Sequence, residues 1–203
     1  FGGPWVVHGS TVRRGEVSVN ATRFSGNAND VKSLTEAEFT ARDDMWRMVE
    51  FIRELPGEFH GCYLLDSAVQ VYGRETRRIQ GLYTMSREDI LSPRNFPDTI
   101  AKGSHPIDIH SSKNDQQNLT WLGRAYNIPY KVLVPVGSEN VIVAGRTVSA
   151  TREAFASMRV QATCMALGQA AGAAAALCCR ESVSAASLDM GLLREALAGD
   201  GAI

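Results

Sequence analysis

The 203-residue sequence lacks most of the features that assign a protein quickly. An excess of one charge is missing: 21 basic residues stand against 22 acidic ones, a formal net charge of -1. That balance points away from nucleic acid and from a membrane surface as partners, because both call for a clustered positive field. Cysteine is scarce and unpatterned. Cys62, Cys164, Cys178 and Cys179 form no CxxC or CxxH spacing, so neither a zinc site nor a dithiol redox motif is indicated. They read as reduced thiols, which fits a cytoplasmic protein. No basic segment followed by an apolar run opens the chain, which starts at Phe1 and reads as a portion of a longer protein. No G-x-G-x-x-G occurs, and the single G-x-G, Gly199-Asp200-Gly201, sits at the far end, so this stretch carries no glycine-rich phosphate cradle.

What is present is ordinary globular composition, 44% hydrophobic and 21% charged. The longest uncharged run, Val160 to Cys179, contains Gly168-x-x-x-Gly172, but its apolar content is mostly alanine and glycine. Alanine gains little on transfer to lipid, so a helix buried between protein layers is expected there rather than a membrane span.

Periodicity and punctuation divide the rest. Trp5-Val6-Val7 and Glu16 to Asn20 read as short strands. Thr35-x-x-Glu38 has the form of a capping box, and Ala41, Met45, Met48, Ile52 and Leu55 follow at helical spacing until Pro56-Gly57. Phe59 to Leu65 and Val69 to Leu82 read as strands, and Ser86-x-x-Asp89 as the cap of a short helix. Pro93, Pro97, Gly103 and Pro106 make Ser92 to Asn127 an irregular stretch. Two more strands are expected at Tyr130 to Val136 and Asn140 to Ala144, and a last helix from Leu188 to Ala198, ended by Gly199.

Three places carry candidate chemistry. The first is the apolar run Asn140 to Ala144, then Gly145-Arg146, a polar loop and the small-residue helix. A strand ending in glycine lets backbone approach a ligand, and the next helix turns unpaired N–H groups and a positive dipole end toward it. On the residues alone, a nucleotide-type αβ unit and an ordinary helix packed on a strand both remain open. The second is Arg74-Glu75-Thr76-Arg77-Arg78, where a strand would set Arg74 and Arg78 on one face, suited to a carboxylate or phosphate. A solvated strand edge is the alternative. The third is His105-Pro106-Ile107-Asp108-Ile109-His110, where Asp108 and His110 share a face in proton-transfer style. His110 is the candidate substrate-site residue, with His105 ranked below it.

Asn140 to Arg146, Ser149-Ala150-Thr151, Ser157-Met158-Arg159-Val160 and Gly168-Gln169-Ala170-Ala171-Gly172 together resemble the closing block of the FAD-dependent oxidoreductases. The resemblance is to a broad group whose two-part flavin domain is interrupted by a substrate domain. Val19 to Arg23, Leu34 to Glu38, Gly73 to Ile79, His105 to His110 and Ile128-Pro129-Tyr130 agree with it in order, so it spans nearly the whole chain. It implies an α+β or α/β protein with a mixed-sheet substrate domain over residues 1–136. The terminal strand-loop-helix unit of a Rossmann-like FAD domain would follow over 137–203. It implies that Gly145 and Arg146 lie by the ribityl and phosphate part of FAD, that Ser157, Met158, Arg159 and Val160 lie by the ring, and that Ser149 is a further cofactor contact. It supports Arg74 and Arg78 as candidate catalytic residues at a small-molecule substrate, alongside His110 from its own segment. The family's G-x-G-x-x-G segment is not in this sequence, so a separate amino-terminal flavin domain is the expected partner. Self-association through surface left bare without that domain is expected too.

Overall fold

In the computed structural model, the described residues are 5–7, 11–110 and 117–203, and the side chains of 5–7, 110 and 117 lie outside the description. The chain forms two compact units: Phe1–Thr76 with His110–Gln117, and Arg77–Ile109 with Asn118–Ile203. This boundary falls upstream of the 136/137 division expected from sequence. Residues on both sides of that division, from Met85 to Leu197, enter one continuous core.

In the first unit β1 (Trp5–Val7) pairs antiparallel with β2 (Ser18–Asn20). The 24-residue helix α1 (Val31–Glu54) starts one turn earlier than its expected capping box. Asp30 is the N-cap, its carboxylate accepting from the Ser33 N–H at 3.0 Å. Thr35 instead lies inside the helix, its hydroxyl donating to the Val31 carbonyl. The helix stops before Pro56, whose ring excludes a further turn. Its apolar stripe buries Ala37, Met48 and Ile52. A small cluster of Ala21, Met48 and Ile52 takes Phe59 and Cys62 against it. The strand expected at 59–65 is absent, as is the one expected at 69–82. Arg42 instead reaches the Val69 carbonyl and Glu38 accepts from the Val71 N–H, so α1 side chains hold this segment where a ladder would.

In the second unit α2 (Arg87–Leu91) carries the expected capping box between Ser86 and Asp89. The stretch expected to be irregular contains strands. β3 (Thr99–Gly103) pairs antiparallel with β6 (Tyr126–Pro129), Gly103 opposite Tyr126, and β4 (Ile107–His110) pairs with β5 (Gln117–Thr120). Tyr130–Val132 and Gly145–Thr147 are single 3-10 turns, so the strand expected at 130–136 is absent. Backbone hydrogen bonds interlace the segments around 79–85, 131–136 and 147–151: Ile79 donates to Thr147, Leu82 to Val134, Met85 to Ser149 and Ser149 to Val132.

Val141 to Ala144 join no ladder. Val143 donates to Leu133, and Val141 stays 45% exposed. A parallel strand needs neighbours on both edges to satisfy its backbone, and no described strand supplies them. The fold is therefore α+β, with small two-stranded sheets rather than one mixed sheet.

α3 (Arg152–Met158) and α4 (Gln161–Glu181) meet at Arg159-Val160, and α5 (Met190–Gly199) follows. α4 packs on α5 and β3 through Thr163, Leu167, Ala170, Ala174 and Leu177. By length and composition alone α4 could cross a membrane, with mean hydropathy 1.5. One face is buried in the core, while Met165, Gly168, Gly172, Ala175, Ala176 and Cys179 are exposed on the other.

Candidate functional site

The site begins at Gly145, whose φ of 73° lies in the left-handed region that a side chain rarely adopts. A Cβ there would meet no neighbouring atom within 4 Å, so the glycine is set by conformation and faces open space. The Gly145–Thr147 turn packs against α4, and Thr147 Oγ1 donates to the Ala144 carbonyl to close it. Arg146 is exposed, and its charge opposes the burial that pushes the Cys164 thiol pKa up, which sets Arg146 by the first turn of α4.

The amino end of α4 is bare. Val160 is its N-cap, no side chain caps it, and no acidic residue stands in its first turn. A helix start without a cap keeps unpaired N–H groups and a partial positive charge, so it suits an electron-rich ligand atom. α3 contrasts with it: Thr151 accepts from Ala154 N–H, and Glu153 sits in the first turn.

Behind this corner lies a buried polar chain. Tyr126 and Ser157 are both 0% exposed. Ser157 Oγ donates to the His105 carbonyl, so its single proton is spent and Tyr126, 2.8 Å away, donates to Ser157. Burial pushes the Tyr126 pKa up to about 12. Gly103 makes room for this tyrosine: a Cβ there would stand 2.4 Å from the ring. A second strap runs alongside, Arg159 Nη2 donating to the Asp108 carbonyl at 2.9 Å. The turn between β3 and β4 and the start of β4 are thus each tied once to the α3–α4 corner.

The structure brings Gly145 and Arg146 together with the start of α4. Arg159 and Val160 are half-buried at the corner itself. Ser157 and Met158 are buried, as is Ser149, whose hydroxyl pairs with Thr84 Oγ1 at 2.9 Å. Arg74 and Arg78 are not set on one strand face: no strand forms there, and the two fall in different compact units. Arg78 lies over the Phe155 ring, 5.0 Å from its centroid. The His110 backbone ends β4, and its side chain lies outside the described residues. Tyr126 and the carbonyls of His105 and Asp108 were not singled out from sequence. Their partners are 31 to 52 residues distant, so no local pattern marks them.

The corner sets a bare helix start beside a glycine turn with an exposed arginine, donors suited to an electron-rich or anionic ligand. Donors for the adenosine half do not occur in G-x-G-x-x-G form anywhere in the sequence. A family model described as FAD dependent oxidoreductase matches residues 5–197. No curated protein and no solved structure matches the chain.

Proposed function

Since the chain belongs to the FAD dependent oxidoreductase family, we propose that it forms the ring-side half of a flavin site together with part of the substrate pocket. The observation that carries this reading is the Gly145 turn packed beside the uncapped start of α4. Bound there, flavin would supply two-electron chemistry. The chain's own part is to aim the N–H groups of α4 at the ring edge, and to hold the ribityl phosphate with Arg146. Arg159 steadies the corner through the Asp108 carbonyl. Arg78, which lies in the same compact unit as the corner, remains the proposed contact to a small-molecule substrate. Four free cysteines support placement in the cytoplasm.

The adenosine half would come from a partner flavin domain. Val141 to Ala144, extended without a ladder, and the exposed small-residue face of α4 support that partner, because both offer packing groups that the described residues leave open. They also favour a second reading, in which the chain is a non-catalytic packing module that holds no cofactor unaided.

Titration with FAD, FMN and lumiflavin, followed by absorbance and fluorescence quenching, separates the two. A ring-side half site binds FAD no more tightly than FMN, and Arg146→Ala weakens FMN severalfold while leaving lumiflavin unchanged. No spectral change at saturating concentrations of all three would leave the packing module as the surviving reading.

A further inference from the structure

We propose that His105 faces the ligand of this site through Nε2 and accepts a proton from an O–H or N–H group of the substrate, with Ser157 and Tyr126 as its positioning residues. The inference rests on the flavin-site reading above and gives His105, ranked below His110 on sequence, a defined tautomer and role. His105 Nδ1 lies 2.7 Å from the Pro106 carbonyl. A carbonyl only accepts, so Nδ1 carries the proton and Nε2 holds the lone pair of the neutral ring. No group among the described residues takes that lone pair, and the ring is half-exposed rather than sunk in the core.

Its position is set from the other side. The His105 carbonyl accepts from Ser157, which accepts from Tyr126, and both side chains are fully buried. Ser157 lies in the last turn of α3, three residues before Val160, the N-cap of α4, so the backbone of His105 is fastened to the corner at which α4 begins. The Arg159–Asp108 strap fixes the start of β4, three residues further on. A tautomer chosen by one hydrogen bond and a backbone held by another is how a basic nitrogen is kept aimed. In the step itself the substrate O–H or N–H bond breaks, an N–H bond forms at Nε2, and the ring becomes imidazolium. One proton moves and no electron does.

The test uses the whole chain with FMN as the probe. Long-range proton–nitrogen NMR on histidine-labelled protein, assigned with His105→Gln, should show the Nδ1–H tautomer. Ser157→Ala should mix the tautomers, and Tyr126→Phe, the gentler change, should do so if Ser157→Ala does not fold. A purely structural hydroxyl pair would leave the tautomer unmoved, which overturns the positioning role. Acylation by diethyl pyrocarbonate, mapped by mass spectrometry, reads the ligand side. Saturating FMN should slow modification of His105 at least fivefold and leave exposed His60 unaffected. If FMN binds by absorbance and His105 reacts at an unchanged rate, the ligand-facing role fails while the flavin site stands. If FMN does not bind, the flavin-site reading fails, and the proposal with it.

Discussion

The two compact units are held together by very different means. In the second, 25 buried residues from Met85 to Leu197 make one continuous cluster. In the first, among the described residues, the cluster is Ala21, Met48 and Ile52, with Phe59 and Cys62 packed against it. Phe39, Trp46, Phe51, Tyr63 and Leu65 lie exposed there, and Tyr63 and Leu65 line a wide concavity of about 1540 Å³ beside α1. Burial of apolar surface is the main favourable term in folding, so stability should concentrate in the second unit and local opening in the first. The candidate site follows the same division. Its corner is built from the rigid unit, where a side chain can be held to a fraction of an ångström.

The sharpest way to break that contrast is Phe155→Ala. Phe155 is fully buried and also carries Arg78 on its face, so truncation should cost about 3–5 kcal/mol, read from the urea midpoint. A loss below about 1 kcal/mol would mean that the core is not continuous.

The next effect is set by pH. The Tyr126 pKa is raised from 10.0 to about 12 in the folded chain. The group therefore stabilises the fold fully below pH 10, and that contribution drains away as pH climbs toward 12, about 2–3 kcal/mol in all. Burial raises Tyr130 in the same direction. Tyr126→Phe should flatten part of the alkaline loss in stability-against-pH curves and leave the Tyr130 part. An unchanged curve would remove Tyr126 from the account.

Gly103→Ala should cost about 1–3 kcal/mol by driving a methyl into the Tyr126 ring, and should cost less in a Tyr126→Leu background. Thermal or urea unfolding of the two single variants and the double variant gives the comparison. The smallest expected effect on the second unit is that of Met48→Ala. Amide exchange should quicken in α1 while protection in β3, β6 and α4 shifts by less than about 0.5 kcal/mol. Loss of protection in both units together would show that they unfold as one.

What could be read from sequence was what is local. The α1 stop at Pro56, the Ser86–Asp89 box, the span of α4 and the end of α5 at Gly199 depend on neighbours within one or two turns. Strands did not behave this way. Val69 to Leu82 and Tyr130 to Val136 have the composition of strands, yet a strand exists only where a partner does, and their hydrogen bonds go to scattered carbonyls instead. Conversely, β3 and β6 were hidden among Pro93, Pro97, Gly103 and Pro106, since antiparallel pairing across two dozen residues leaves no short-range trace. The site divides likewise. Gly145 and the start of α4 could be read, because a glycine after an apolar run is a sequence pattern. The Tyr126–Ser157–His105 chain could not, because only folding brings its members together.

The bare start of α4 has a thermodynamic consequence. A good N-cap is worth about 1 kcal/mol, and α4 begins at Val160 without one. Any ligand that offers an acceptor there is linked to folding, so it raises the melting temperature of the chain in proportion to the logarithm of its concentration above Kd. Selection for thermal stability alone would install serine or aspartate at position 160. The same change would fill the corner with the protein's own oxygen and turn away any ligand that needs those N–H groups.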